Sequence, residues 1–419
     1  MADLLGFTSI ALVSLFTIFI GLRCPDISRI IYVALIIRVL LILIGHYIAP
    51  LPDSTKDAAG FEELAWTYGQ DGFLNALSNF QGHNRYFWSQ IIGVLYSLFG
   101  RSILMAQSLS LFFGIGTIFL AWLLAKKIWD KDTATKVGWV LALFPSLILY
   151  SVLPLKDIYQ SFFLLVAMIG IFYWIQYGSF KYIFLAMFGF IGATLFHGAL
   201  IVGGIVFLFI VLLIKFKEMI ISIINLRLNL NAFIISTLAI FILQIFFLNK
   251  IYIPKIGYFE DIHLGTIVSE LNARIIGESS YGDWSRIYGD ETFIEFVYKF
   301  ILRILYFLFS PFPWDIQKLS HIIGMADGLL YLILFYLIIC NRKHIWNDPF
   351  LRITFIILFA YVCMFALGVS NFGAGLRHRT KFIVEMVLLA GPLLPIFTIS
   401  NRHKLIKFSK LNRKILRKD

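Results

Sequence analysis

Long apolar stretches set the first constraint on this chain, because most of its residues fall within them. About eleven stretches recur along the 419 residues, each roughly 18 to 24 residues long. A helix that rises about 1.5 Å per residue crosses a hydrocarbon core of about 30 Å over such a length. We therefore predict membrane-spanning helices at residues 4–22, 29–49, 103–125, 136–153, 158–177, 180–196, 199–215, 231–249, 322–340, 352–370 and 380–398.

The composition excludes a protein with an apolar core and a polar shell. Hydrophobic residues make up 60% of the chain, charged residues make up 14%, and the mean hydropathy is +0.85. Too few polar side chains remain to cover a core in water. We predict an all-α membrane protein that folds as a single polytopic domain over residues 1–419. It has an acidic loop at 50–102, a second large segment at 250–321 and a basic tail at 400–419.

Lysine and arginine are unevenly distributed between the connecting loops. The formal net charge is +12, and basic residues gather near 23–29, 126–136, 215–227 and 342–352 and in the tail. This bias is typical of cytoplasmic loops. We therefore expect a multi-pass protein of the cell's inner (plasma) membrane with a cytoplasmic carboxyl terminus. Because the basic residues are scattered over short loops, we expect no nucleic-acid partner.

Three further apolar segments carry polar residues along one face. Residues 293–309 repeat a charged residue every four positions from Glu295 to Arg303, and residues 61–77 and 86–98 alternate aromatic and polar residues at helical spacing. Such patterns are typical of helices that lie in the membrane interface. We predict that all three lie at the outer interface. That position would bring them into contact with membrane lipids and suggests a lipid-linked substrate.

The loop that follows the second predicted span is strongly acidic. It reads PDSTKDAAGFEELA from residue 52 and contains Asp53, Asp57 and Glu62. A carboxylate at the rim of a helix bundle is costly to desolvate unless it is paired or used. Asp57 could serve as a helix N-cap, but it could also take a proton from a hydroxyl group as that group attacks. We select Asp57 as the first candidate for the base and include Asp53 and Glu62 in the candidate catalytic site.

Two other connections on the predicted outer side hold ionisable residues. Lys156 and Asp157 form a turn between two spans, and His197 lies in LFHGAL between two more. The Lys-Asp pair could be an interfacial ion pair of little energetic weight, and the histidine could be a satisfied buried residue. Alternatively, these side chains face the same cavity as Asp57 and bind a substrate phosphate.

The strongest basic signal is SNFGAGLRHRTKF at residues 370–382. Arg377, His378, Arg379 and Lys381 stand on the predicted outer side, where the distribution of basic residues should exclude them. The planar fork of arginine matches phosphate oxygens. A headgroup anchor is the alternative role. We predict that this cluster holds the phosphate or diphosphate of a lipid carrier.

The order of these features resembles the GT-C superfamily of polytopic glycosyltransferases, in particular glycosyltransferase family 39 and the aminoarabinose and mannosyl transferases. The resemblance rests on DSTKDAAGFEELA, on FPSLILYSVLPLKD at 144–157, on FLFSPFPWD at 307–315 and on the RHR turn at 377–379. It covers residues 40–390 by architecture. An extra helix precedes the one that leads into the acidic loop, and the acidic pair is spaced D-x-x-x-D rather than adjacent.

The resemblance implies transfer of a sugar from a polyprenyl-phosphate donor to a glycan or lipid acceptor outside the cytoplasm. Asp57 would then be the general base, and Lys156, Arg377 and Arg379 would face the carrier phosphate. The spacing of the acidic pair does not call for a divalent metal, and we expect no cofactor. Two alternatives stay open: an oligosaccharide polymerase or ligase that joins diphosphate-linked glycans, and a flippase or transporter for the same lipid.

The loop assignment predicts that positions 71 and 410 lie on opposite sides of the membrane. We expect Asp71→Cys to react with a membrane-impermeant thiol reagent added to intact cells, and Lys410→Cys to react after the cells are opened. Both variants would be made in a chain whose native cysteines are replaced. Labelling of both positions in intact cells would overturn the orientation.

Overall fold

Helices dominate the fold. The computed structural model describes residues 2–80, 86–225, 230–248, 252–253, 257–258, 272, 280–288 and 291–395. Within that part of the chain, two short strands, Tyr252–Ile253 and Gly257–Tyr258, form an antiparallel pair. The predicted tail at 400–419 and much of the predicted segment at 250–321 lie outside the described residues.

The helices are numbered here in chain order. They are α1 (Ala2–Arg23), α2 (Pro25–Tyr47), α3 (Ala59–Gly69), α4 (Phe73–Ser78), α5 (Phe87–Phe99), α6 (Ile103–Ile128), α7 (Lys131–Leu143), α8 (Pro145–Tyr150), α9 (Asp157–Tyr177), α10 (Phe180–Phe196), α11 (Ile201–Ile224), α12 (Leu230–Leu248), α13 (Phe293–Phe309), α14 (Leu319–Cys340), α15 (Arg342–Asn347), α16 (Pro349–Gly368), α17 (Phe372–Arg379) and α18 (Ile383–Ala390).

Seven helical segments in the described part of the chain are long and apolar enough to cross a membrane. The chain is therefore an α-helical, multi-pass membrane protein. Of the other predicted spans, 180–196 falls on the shorter helix Phe180–Phe196, 136–153 and 380–398 are interrupted, and 231–249 falls on Leu230–Leu248; the count of about eleven stays a prediction. The seven are Ala2–Arg23, Pro25–Tyr47, Ile103–Ile128, Asp157–Tyr177, Gly198–Ile224, His321–Cys340 and Pro349–Gly368.

The connections of the described chain gather at two ends of the bundle. At one end Asp26 pairs with Lys126 (3.4 Å) and Lys131 (2.6 Å), and the Trp129 indole donates to the carbonyl of Leu388 (3.2 Å). The other end brings residues from the acidic loop, the Lys156 turn, the His197 turn and α17 around one cavity. This grouping matches the predicted division of the loops, and which end faces the cytoplasm stays a prediction.

The helix predicted at 136–153 is wrong as a single element, because α7 ends at Leu143 and α8 begins at Pro145. Proline lacks an N–H and its ring clashes with the preceding turn, so it interrupts the helix. Arg38 of α2, fully buried, donates to the carbonyl of Ala142 (3.0 Å) and to the hydroxyl of Ser151 (2.8 Å). The guanidinium thus supplies a donor at the break, where a membrane offers no water.

Small residues let α9 and α10 pack closely. A Cβ atom on Gly170 would collide with the backbone of Ala186, and one on Gly189 would collide with the backbone of Ala167. Close contact through small residues is a common way to pack helices within a membrane. Since α9 begins at Asp157 and α10 ends just before His197, this packing places those two site residues at the same end of the helix pair, where both line the cavity described below.

The helix predicted at 293–309 is confirmed as α13, and its polar stripe runs from an exposed residue, Glu295, to a buried one, Arg303. Arg303 is fully buried and donates to the carbonyls at the end of α16, including Ala366 (3.0 Å) and Val369 (3.1 Å). The apolar residues Phe293 and Ile294 are exposed instead. A cation at the carboxyl end of a helix also interacts favourably with the negative end of the helix dipole. The last residue of the stripe, Arg303, therefore points inward and caps a neighbouring helix, while the position of α13 at the membrane interface stays a prediction.

The other two predicted interface segments are helical with altered bounds. Residues 61–77 divide into α3 and α4 at Gly72, whose φ of 91° is accessible to glycine, and residues 86–98 form α5. Gly69 of α3 packs on the backbone of Gly93 in α5. These helices form a packed unit beside the cavity, and their position in the membrane interface stays a prediction.

Replacement of Arg303 tests the inward cap. We expect Arg303→Met to lower the free energy of unfolding substantially, because each buried carbonyl left without a donor costs about 1–3 kcal/mol. Arg286→Met is the matched control, since its partner Asp283 is 89% exposed and such surface pairs contribute about 0–1 kcal/mol. Thermal unfolding in detergent would be followed for both variants, and equal losses would contradict the cap.

Candidate functional site

A cavity of about 1120 Å³ lies at the end of the bundle that carries the acidic loop. This volume is slightly above the range of about 300–1,000 Å³ that is usual for ligand pockets. Seven of the ten predicted site residues line it: Asp53, Asp57, Lys156, Asp157, His197, Arg377 and His378. The remaining three, Glu62, Arg379 and Lys381, do not line it.

Arg377 connects two carboxylates that are far apart in sequence. Its Nε donates to Asp157 (2.6 Å), and one of its two terminal nitrogens, Nη1, donates to Asp57. Burial alone would lower the pKa of Arg377, but the charges of Asp157 and Asp57 raise it above its ordinary value. Arg377 therefore remains a cation that holds the acidic loop against the start of α9.

The two carboxylates differ in their environments. The side chain of Asp157 is 2% exposed, while that of Asp57 is 64% exposed and faces the cavity. Asp57 lies in a short π-helix, Ser54–Ala58, and the N-cap of α3 is Ala58 without a side-chain hydrogen bond. The N-cap role considered for Asp57 is therefore wrong, and its carboxylate is available at the cavity rim.

Asp53 anchors the start of the acidic loop. The hydroxyl of Tyr150, at the end of α8, donates to its carboxylate (2.7 Å). The backbone of Asp53 is left-handed, with φ of 62°, a conformation that aspartate tolerates better than most residues. Asp53 thus lines the cavity, and its hydrogen bond with Tyr150 fixes the turn that leads to Asp57.

Lys156 and the two histidines complete the charged wall. The ammonium of Lys156 lies 5.0 Å from the ring centre of Phe61, and both residues line the cavity. The rings of His197 and His378 meet edge to face with their centres 5.2 Å apart. Lys381 is fully buried behind them, 2.6 Å from His378 and 3.9 Å from Asp157. Lys381 is therefore placed to support the wall rather than to touch a ligand.

Glu62 lies outside the cavity. Arg101 contacts both of its carboxylate oxygens, at 3.0 and 2.7 Å, and the hydroxyl of Tyr96 donates to one of them (2.9 Å). The bidentate pair joins α3 to the chain beyond α5. This geometry gives Glu62 a structural role and does not support its selection as a catalytic candidate.

Arg379 also turns away from the cavity. It is 1% exposed and donates to the carboxylate of Asp327 (3.1 Å) and to the carbonyls of Ser310 (2.7 Å) and Gly324 (3.2 Å). Its donors are committed to the carboxyl end of α13 and to α14. The predicted contact between Arg379 and a carrier phosphate is therefore not supported.

The structure adds lining residues that the sequence patterns did not single out. They include Ser146 and the residues Lys318, His321 and Asp327 of the chain that leads into and forms α14. One signal was present for Asp327, because an acidic residue inside an apolar helix is a functional candidate by default. Nothing in the local sequence distinguished Ser146, whose position depends on the break at Pro145.

No group of three or more metal-ligating side chains occurs among the residues that the structure describes. Between the carboxylates of Asp57 and Asp157 stands Arg377, a permanent cation.

Comparisons of the chain with protein-family models, with curated proteins and with solved structures find no match.

The bridge predicts strong energetic coupling between Arg377 and Asp157. Arg377→Met removes the nearest cation from the buried carboxylate of Asp157 and leaves only more distant ones. We expect this change to lower the free energy of unfolding by about 3–5 kcal/mol. The Asp157→Asn/Arg377→Met double variant should cost less than the sum of the single changes. Asp57→Asn should cost less than about 1 kcal/mol, because its contact is exposed. Denaturant unfolding in detergent measures each value, and additive costs for Asp157 and Arg377 would contradict the bridge.

Proposed function

We propose that this protein is a glycosyltransferase of the GT-C kind. It moves a sugar from a polyprenyl-phosphate donor to a glycan or lipid acceptor at the predicted outer face of the inner membrane. The proposal is supported most by one observation: the exposed carboxylate of Asp57 and the cation Arg377 meet at the rim of one large cavity. Glycosyl transfer from a phosphate needs a base and a cation in that proximity.

In the proposed reaction an acceptor hydroxyl attacks the anomeric carbon of the donor sugar. The new bond joins the acceptor oxygen to that carbon, and the bond between the carbon and the phosphate oxygen breaks. The electron pair of the broken bond stays on the phosphate oxygen. Asp57 takes the proton that the hydroxyl loses. The products are a glycosylated acceptor and the free lipid phosphate.

Arg377 and Lys156 are the cations that would meet the phosphate. Arg377 already contacts Asp57 through one guanidinium nitrogen, so an arriving phosphate would share or displace that contact. Fixed cations in a site that excludes water stabilise the charge that grows on a leaving phosphate. Asp157 would keep Arg377 in position throughout, because its hydrogen bond uses a different nitrogen.

The walls of the cavity suit a ligand with a long apolar tail. Leu41 of α2 and Leu143, Ile148 and Leu149 around the α7–α8 break all line it, and Leu143 is 38% exposed. Leu41 belongs to one of the helices long and apolar enough to cross a membrane. A polyprenyl chain could lie against them while its phosphate reaches Arg377, so that the lipid need not leave the membrane.

Replacement of Asp57 tests the base. Asp57→Asn keeps the shape of the side chain but cannot accept a proton at neutral pH. Because general-base assistance is worth about 10²- to 10⁴-fold in rate, we expect transfer to fall by that order while binding of a polyprenyl-phosphate sugar is kept. Asp53→Asn is the matched control and should cost less, since an asparagine oxygen can still accept from Tyr150.

Each outcome of this comparison has a distinct meaning. If Asp57→Asn transfers sugar at the wild-type rate, Asp57 is not the base. If only Asp53→Asn loses transfer, Asp53 is the base instead. Normal transfer by both favours a polymerase or ligase that relies on Arg377 and diphosphate-linked glycans. Binding of the lipid by wild-type protein without any transfer favours a flippase.

A further inference from the structure

Three buried polar atoms of residues that line the cavity make no hydrogen bond of normal geometry within the described part of the protein. They are the hydroxyl of Ser146, one carboxylate oxygen of Asp327 and Nε2 of His321. All three residues line the cavity, and each is 3–4% exposed. Native proteins rarely leave buried polar atoms unsatisfied, because each such atom has lost its hydrogen bonds with water. Their gathering on one wall points to a ligand that satisfies them.

Each of the three side chains is held in place by its other contacts. The second carboxylate oxygen of Asp327 accepts from Arg379 (3.1 and 3.2 Å), and Nδ1 of His321 lies 3.0 Å from the carbonyl oxygen of Asp315. Ser146 lies in the first turn of α8, just after Pro145, and its side chain interacts with Asp327 and Tyr331 of α14. The unsatisfied atoms are therefore fixed in position before a ligand arrives, as binding sites require.

The chemistry of the three atoms favours a ligand with several neutral hydroxyl groups. A carboxylate oxygen accepts hydrogen bonds, a serine hydroxyl donates and accepts, and a histidine nitrogen does either according to its tautomer. The carboxylate of Asp327 would repel a phosphate. Phe372, whose ring meets that of His321 at 5.2 Å, adds an apolar surface for the C–H face of a sugar ring.

We infer that Ser146, His321 and Asp327 form a sugar-binding subsite that holds the acceptor. Calling the ligand an acceptor rests on the proposed function, but the binding of a sugar does not. Phe372 and Arg377 are five residues apart on α17, which corresponds to about 7.5 Å along a helix axis. The subsite residues and the Asp57–Arg377 pair line the same cavity, so one ligand-binding space contains both.

The test is direct binding of simple glycosides to the full chain in lipid nanodiscs. Saturation-transfer NMR would be recorded with methyl β-D-glucopyranoside, methyl β-D-galactopyranoside, methyl α-D-mannopyranoside and methyl N-acetyl-β-D-glucosaminide. We expect at least one to bind wild-type protein. Ser146→Ala should weaken that binding about threefold to tenfold, the usual effect of one lost hydrogen bond.

A second variant and a control separate binding from folding. His321→Asn keeps an amide group that can bond the backbone of Asp315 or Gln317 but lacks the far ring nitrogen, and it should weaken binding to a similar degree. Ser236→Ala is the matched control, because Ser236 is also a buried serine with an unsatisfied hydroxyl but does not line the cavity. It should bind the glycoside as wild type does.

Two results would overturn the subsite: no glycoside binds wild-type protein, or binding is unchanged in both Ser146→Ala and His321→Asn. Failure of the proposed function would look different. In that case glycoside binding depends on Ser146 and His321, while Asp57→Asn leaves glycosyl transfer unaffected or wild-type protein transfers no sugar.

Discussion

Buried arginines that donate to the carbonyls of helix ends are the interactions on which this fold depends. Within a membrane no water satisfies the backbone where a helix stops or breaks, so a side chain must do so. Arg38 serves the break before Pro145, Arg303 serves the end of α16, and Arg379 serves the end of α13. The five donors of a guanidinium can satisfy several carbonyls at once. One broken helix and two helix ends can therefore be accommodated in an apolar bundle.

These caps also shape the cavity. The interruption that Arg38 supports turns Ser146 toward it, and the end of α16 that Arg303 holds leads directly into α17 and Arg377. Arg379 donates to one carboxylate oxygen of Asp327, and the other oxygen stays without a hydrogen bond of normal geometry. The charged pair Asp57–Arg377 and the proposed sugar subsite therefore share one supporting framework. A change in a buried cap would disturb both together.

The sequence was sufficient to predict the helical membrane fold and the grouping of the acidic loop with the basic turn, because apolar length and the distribution of lysine and arginine act along the chain. It could not decide which arginine faces the cavity. Successive residues of a helix are about 100° apart, so Arg377 and Arg379 point in nearly opposite directions once the helix is oriented. That orientation depends on Asp157 and Asp327, which are 220 and 52 residues away. A local sequence pattern could not predict either that Glu62 pairs with Arg101, which is 39 residues away.

The bridge from Arg377 to Asp157 spans 220 residues, which has a consequence for biosynthesis. A ribosome adds roughly 5–20 residues per second, so about 11–44 seconds pass between the synthesis of the two partners. During that interval α9 must enter the membrane with a carboxylate at its start and without its principal countercharge. The nascent chain therefore passes through a stage in which Asp157 either stays at the aqueous surface or carries a proton. Arrival of α17 ends that stage, and a truncated chain would never leave it.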